Sequence, residues 1–288
     1  IHPMLRSCPP ENFNPAIFFH DPAETYFHPG WYQPEDYIFE CRCYQAEALG
    51  PERLRTVPFT FGLKQVTETA AWIEFAAAPG PEPLTVAEIL TVRDACRELG
   101  IRECLILPRQ RNYLIDALLR TLPFRPIDRL IALYRSQGQP EDRPGTDFGP
   151  LEYRPGAPDR RTESRDLYAI DQSFPPIWRL TPFEFDLALN AASIVRILAA
   201  RDSGEAVAYL LASCDEFSMH IDRVALVPER RGMGLGTKMI RRFVAEFSHE
   251  IDIFTVNTYE KNTAALRMYK KLGFIEESES YRLYAANI

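Results

Sequence analysis

No run of apolar residues in this 288-residue chain approaches the ~20 that a membrane-spanning helix needs. Positive charge is short as well: 33 Lys and Arg against 40 Asp and Glu leave a net charge of −7. A chain with that balance has no global field for nucleic acid or anionic lipid, so neither is expected as a partner. Cysteine supplies no framework. There are six, only Cys41 and Cys43 lie close together, and no second pair completes a zinc site; even with His20 and His28 nearby, no metal is expected. The opening residues, IHPMLRSCPPENFNPAIFFH, lack the basic-then-apolar order of a signal peptide, which points to a cytoplasmic protein. With 46% hydrophobic and 25% charged residues the composition is that of a globular protein, long enough for two domains.

Proline divides the chain. Of 24 prolines, 20 fall at or before Pro158, and the stretch 136–150 is polar, rich in Pro and Gly, and without periodicity. It reads as a linker between a domain over 1–135 and another over 151–288. The second half alternates strand and helix patterns. Strands are expected over 151–155, 193–201, 206–213, 217–227 and 251–258, with a last extended pair over 274–285. Helices are expected over 161–174, 181–192, 235–249 and 263–272, the last closed by Gly273. The fold class is therefore α/β (α+β), a mixed central β-sheet with flanking helices.

The first half holds a fainter copy. Sliding the chain by 150 lays Asn112, Leu122 and Phe124 over Asn262, Leu272 and Phe274 without a gap. The same offset places a helix over 84–99 on the one that starts near Gly234, and a strand over 104–107 on 254–257. Strand, helix, strand, helix and strand in one order imply a duplication.

Chemistry concentrates in Val224-Ala-Leu-Val-Pro-Glu-Arg-Arg-Gly-Met-Gly-Leu-Gly-Thr-Lys238, where Gly232, Gly234 and Gly236 lie between a strand and a helix. Glycine admits positive φ and close approach of a ligand to the backbone. Free N–H groups at the helix start then cradle an anion, and Arg231 adds positive charge. A Walker A loop would end Gly-Lys-Ser/Thr, whereas Gly236-Thr237-Lys238 reverses that order, and the Rossmann spacing Gly-x-Gly-x-x-Gly is absent. A plain glycine-rich turn is the competing reading.

The segment Asn257-Thr-Tyr-Glu-Lys-Asn-Thr-Ala-Ala-Leu-Arg-Met-Tyr-Lys-Lys-Leu-Gly-Phe274 adds a second element. Together, Arg231-x-x-Gly234-x-Gly236 and Asn262-x-x-Ala265-x-x-x-Tyr269-x-x-Leu272-Gly273-Phe274 resemble the two signatures of the GCN5-related N-acetyltransferase (GNAT) family, in the family's order and separation. The resemblance covers about 151–288. It implies a GNAT fold in which two parallel strands, here 217–227 and 251–258, splay apart around acetyl-CoA. Val224, Leu226 and Val227 would then hold the pantetheine arm and acetyl carbonyl. Arg231, Gly232, Met233, Gly234, Leu235, Gly236 and Thr237 would hold the pyrophosphate, and Asn262 would touch the CoA arm. Tyr269 stands where many members carry a general acid, while His220 and Asp222 are candidates for the base. By strand alternation these two share one face with Val224 and Leu226. Trp178, in Phe174-Pro-Pro-Ile-Trp178, is expected in the acceptor wall.

The expected activity is acetyl transfer from acetyl-CoA to a primary amine of a small molecule or protein, by direct attack in a ternary complex. The alternative is a non-catalytic acyl-CoA-binding or regulatory scaffold of two GNAT-like domains. The first half fails the same test: at offset 150, Arg231, Gly232, Gly234, Gly236 and Tyr269 become Pro81, Glu82, Leu84, Val86 and Leu119. It reads as a degenerate, non-catalytic GNAT-like domain.

Overall fold

The computed structural model describes residues 4–8, 25–27, 42–47, 59–77, 84–108, 112–136, 147–157 and 161–288. His20, His28, Cys41, Pro81, Glu82 and most of the expected linker lie outside them. The chain forms two units, Ile1–Asp128 with Tyr281–Ile288, and Arg129–Ser280.

The first unit contains β1 (Met4–Cys8), β2 (Thr25–Phe27), β3 (Arg42–Glu47), β4 (Phe59–Gln65) and β5 (Ala70–Ala77), followed by α1 (Val86–Glu98), β6 (Glu103–Ile106) and α2 (Tyr113–Thr121). The strands β1, β3, β4 and β5 pair antiparallel in that order, β2 flanks β5, and β6 adds in parallel on β5. Apolar residues at helical spacing along α1, Ile89, Val92 and Cys96, meet Phe59, Phe61 and Ile73 of the sheet in one buried cluster. Thr85 starts α1 with a reciprocal capping box to Glu88, a device worth about 1 kcal/mol.

Next come β7 (Phe124–Ser136), β8 (Leu151–Pro155), α3 (Arg161–Asp171), α4 (Pro182–Ala191), β9 (Ile194–Ala200), β10 (Ala206–Cys214) and β11 (Ser218–Leu226). They are followed by α5 (Leu235–Phe247), β12 (Ile253–Tyr259), α6 (Thr263–Lys271) and β13 (Ile275–Asn287). The expected extended pair over 274–285 is thus one unbroken strand. In the second unit β8, β9, β10 and β11 form an antiparallel meander, β12 joins β11 in parallel, and β7 joins β12 antiparallel from Ser136↔Ile253 to Leu130↔Tyr259. Residues 281–288 pair instead with β6, from Tyr284↔Ile106 to Asn287↔Glu103. Residues 129–135 and 281–288 therefore group with the unit opposite to the one that chain order gives them.

Both layers of the second unit follow from strand alternation. Ala208, Leu210 and Ala212 of β10 lie in one cluster with Met239, Ile240, Phe243 and Val244 of α5. Tyr209 points the other way, onto Phe185 of α4 and Asp171 of α3. The sheet thus carries α5 and α6 on one face and α3 and α4 on the other. The architecture is the mixed α/β fold expected from the sequence, with six helices among the described residues.

Candidate active site

The second unit opens where β11 and β12 stop pairing. Their parallel register runs from Ser218↔Ile253 to Ile221↔Val256 and ends there. Beyond it β11 stays paired with β10 as far as Leu226↔Ala208, and β12 stays with β7 as far as Tyr259↔Leu130. Each strand keeps its outer neighbour while the inner edges part. Along that split neither strand has the other as its hydrogen-bonding partner.

A bulge sets what faces the split. Opposite Leu211 and Ala212 stand Arg223 and Ile221, so Asp222 is an extra residue in β11. It reverses the alternation. Met219, Ile221, Val224 and Leu226 pack with the α5 cluster. His220, Asp222 and Arg223 face the α3–α4 side, where their partners Ser213 and Asp171 lie. The single face expected for His220, Asp222, Val224 and Leu226 is corrected accordingly: the two ionisable residues are on one side of the sheet and the two apolar ones on the other.

On the α5 side, Pro228–Arg230 form a 3-10 turn that leads into the glycine loop. Gly232 and Gly234 have φ of 75° and 74°, and a Cβ at either would meet no atom within 4 Å. Gly234 is the N-cap of α5 and supplies no side-chain cap, in contrast to Thr85, Asn112, Thr181 and Asn262 at the starts of α1, α2, α4 and α6. The first N–H groups of α5, at Leu235, Gly236 and Thr237, are left for an external acceptor. Met233 at the loop tip is 61% exposed. Gly236 is packed: a Cβ there would sit 3.2 Å from Met268 Sδ and 3.5 Å from Leu226 Cδ1, so a side chain at this position would press on Met268 of α6. The Arg231 guanidinium lies on backbone carbonyls, donating from Nε to Leu226 (3.2 Å) and from Nη2 to Ser173 (3.0 Å). The Val227 N–H donates to the Val207 carbonyl.

Asn262 caps α6 by accepting from the Ala265 N–H at 3.3 Å, and its amide donates to Thr258 Oγ1. Gly273, with φ of 81°, ends that helix and lets the Phe274 N–H reach the Tyr269 carbonyl. The turn brings Phe274 edge-on to the Tyr269 ring at 5.6 Å. Tyr269 is 5% exposed, and burial pushes its phenol well above the ordinary tyrosine value, so at neutral pH it holds its proton.

On the α3–α4 side, Ser213 Oγ donates to Asp222 at 2.6 Å, and His220 Nδ1 contacts Thr255 Oγ1 at 2.8 Å. Desolvation is the main influence on Asp222 and raises its carboxyl to about 7, against the smaller opposing effect of Ser213. Arg223, the next residue, is bound elsewhere. It forms a bidentate pair with the fully buried Asp171, which also accepts from the Tyr209 hydroxyl and from the Leu180 N–H. The same guanidinium lies 4.0 Å over the Phe174 ring and donates to the Trp178 carbonyl at 2.8 Å. Trp178 in turn stacks on Tyr259 with ring centroids 3.9 Å apart. The connector between α3 and α4 is thus tied to both splayed strands, by Arg223 of β11 and Tyr259 of β12.

The structure therefore brings the sequence-derived residues to one split in two sets. Val224, Leu226, the loop from Arg231 to Thr237, Asn262 and Tyr269 flank it with α5 and α6; His220, Asp222 and Trp178 flank it with α3 and α4. Asp171, Tyr209, Ser213, Arg223, Thr255 and Tyr259 were not singled out from the sequence. Their partners lie as far as 81 positions away, as for Tyr259 and Trp178, and a bulge leaves no mark in a single sequence.

Residues 164–274 match the acetyltransferase (GNAT) family model. Among solved structures, the chain is similar to a tandem GNAT protein from the clavulanic acid biosynthesis pathway, at 12% identity over 93% of this chain and 84% of that one, with a TM-score of 0.52. It is also similar to a GCN5-related N-acetyltransferase from Anabaena variabilis, at 11% identity over 88% and 65% of the two chains, with a TM-score of 0.61. At such identities the likeness concerns the fold. The splayed parallel strands, the uncapped helix start and the family match converge on one statement: residues 164–274 form a domain of the acetyltransferase (GNAT) family.

Proposed function

We propose that the second unit transfers an acetyl group from acetyl-CoA to a primary amine by direct attack in a ternary complex. One observation carries the reading: among the α-helices whose N-cap is described, α5 alone starts without a side-chain cap, on a left-handed glycine open to solvent and beside the strand split. Acetyl-CoA supplies an activated thioester when bound. Its pyrophosphate fits the N–H groups of Gly232 to Thr237, where the helix dipole and Arg231 favour an anion. Arg231 can turn from the Leu226 and Ser173 carbonyls without leaving a buried cation, because it is exposed. Val224, Leu226, Val227 and Asn262 line the path of the pantetheine arm.

The amine must lose a proton to attack. Asp222, raised to about 7 by burial, is matched to take that proton near neutral pH, with His220 beside it on the same face. Tyr269 keeps its phenolic proton and gives it to the leaving thiolate. Asp222 takes one proton as the ammonium becomes a neutral amine and passes it to solvent. The new C–N bond then replaces the C–S bond, the second nitrogen proton leaves by the same route as the amide forms, and Tyr269 is reprotonated from solvent. Trp178 borders the acceptor.

Thiol release from acetyl-CoA across a panel of primary amines tests the reading. Amine-dependent release is expected. Tight acetyl-CoA binding with no release for any amine would favour the scaffold alternative.

A further inference from the structure

Charge on the acceptor side of the split is one-sided. Alternation and register place His220, Asp222 and Arg223 of β11, Thr255, Asn257 and Tyr259 of β12, and Tyr134 of β7 on that face. Arg223 is the one arginine among these residues, and Asp171 holds it in a buried bidentate pair; Arg154 of β8, on the same face, is paired with Glu163 of α3. Arg179, on the connector, is exposed and donates to the Phe174 carbonyl. Asp222 accepts only from Ser213, and no ion pair offsets it among the described residues. An ammonium is therefore welcome at this face. A carboxylate one bond farther on would stand beside Asp222 with no cation of the sheet to meet it, and like charges brought together cost several kcal/mol.

The carrier of the amine meets a different surface. Trp178 and Tyr259 stack across the open end of the split, beyond the last β11–β12 pair, and both are half-buried. Their position is fixed from behind, because Arg223 holds the Trp178 carbonyl and packs on Phe174. A rigid aromatic pair of this kind favours a flat or apolar group over a flexible polar chain.

We infer that the acceptor is a small primary amine on a flat or apolar carrier with no carboxylate beside the nitrogen, seated on Trp178 and Tyr259. The inference rests on the acetyl-transfer reading above. Steady-state thiol release with phenethylamine, phenylalanine and propylamine tests it. Phenethylamine is expected to exceed phenylalanine in kcat/KM by about 100-fold or more, since the two differ only in the carboxylate. It is expected to exceed propylamine by about 10-fold or more. Trp178→Leu and, separately, Tyr259→Leu should each lower the phenethylamine-to-propylamine ratio by about 10-fold. If one variant fails to fold, the other reads the same ratio, and the comparison of phenethylamine with phenylalanine needs neither. Equal or better use of phenylalanine overturns the inference while leaving acetyl transfer intact, as does an unchanged ratio in a folded variant. Release with none of the amines overturns both.

Discussion

The two units carry the same parts set to opposite states. Each has a bulged strand beside a parallel partner: Glu74 is the extra residue in β5 opposite Gly62 and Leu63, as Asp222 is in β11 opposite Leu211 and Ala212. Each carboxylate has a neighbour one position along the adjoining strand, Lys64 in one case and Ser213 in the other. Glu74 is 2% exposed and pairs with Lys64 at 4.0 Å, whereas Asp222 has only a hydroxyl and is raised to about 7. At Asp222 desolvation outweighs the Ser213 hydroxyl and leaves the carboxyl raised, whereas the first unit sets a cation beside its carboxylate. The following helices differ in the same sense. Val86 and Leu235 open helices of equal length, so Thr85 is the counterpart of Gly234. Thr85 and Glu88 satisfy each other and place a carboxylate at the helix start, which repels an anion; Gly234 leaves that start open. A fold keeps its architecture while a handful of side chains decide whether it can hold a charged ligand.

The largest test of the comparison is to part the units by chain order. A fragment of residues 151–288 lacks 129–136, which pair along the whole of β12. It is expected to lose the cooperative thermal transition of the full chain, because an exposed central strand lacks its ladder and favours aggregation. A fragment beginning at 124, with β7 restored, should recover part of it. Fragment 151–288 melting like the full chain would show that β7 is dispensable. Next in size is Gly234→Glu, which puts a side chain at φ 74° and a carboxylate where Thr85 and Glu88 close the first unit. Acetyl-CoA affinity should fall by about 100-fold or more with the fold retained. Titration calorimetry on the wild type should give one acetyl-CoA site per chain, and two equivalent sites would remove the distinction between the units.

How much of this was legible follows from which features are local. The glycine loop and the Asn262–Phe274 segment are runs of neighbouring residues, so their places at the starts of α5 and α6 could be read directly. Asn112 and Asn262 illustrate it best, since the matched residues are both helix N-caps. The single offset of 150 holds for those helices, but Leu235 lies 149 positions after Val86, and Asp222 lies 148 after Glu74. Single-residue differences in the connections displaced the loop comparison, which is why Gly234 was set against Leu84 rather than Thr85. The faces of β11 were misread because alternation assumes an unbroken ladder. The Asp171–Arg223 pair was invisible because nothing in either segment marks its partner.

Ser213→Lys converts the second unit's carboxylate into the arrangement of the first. The added ammonium should lower the Asp222 pKa well below 7 and reduce kcat at pH 7.5 by about 100-fold, within the range for a lost general base. Acetyl-CoA affinity should change little, because the loop is on the other side of the sheet. Wild-type turnover in Ser213→Lys would remove Asp222 as the base and leave His220. Tyr269→Phe asks the same of the acid, whose counterpart in the first unit is Leu119. It keeps the ring against Phe274 and removes only the hydroxyl. The expected loss in kcat is about 10- to 1,000-fold with acetyl-CoA binding unchanged; weaker binding with normal kcat would make Tyr269 a positioning residue.

The smallest effect is expected from Ser213→Ala, and it is the most specific. The Ser213 hydroxyl donates to Asp222 at 2.6 Å and so favours the ionised carboxylate, which sets it against the desolvation that dominates there. Removing the donor removes the downward influence, so the Asp222 pKa should rise above about 7. A base must be ionised to act, and activity is lost as pH falls through its pKa. The acid limb of kcat/KM should therefore move to higher pH, by about one pH unit if the bond is of ordinary charge-assisted strength. At pH 9 the variant and the wild type should agree within about threefold, because Asp222 is ionised in both. A merely structural role for Ser213 would scale activity equally at every pH and leave the limb in place. A limb that stays put in Ser213→Ala but disappears in His220→Gln would assign the base to His220 and leave Asp222 as the acidic group that attracts the ammonium.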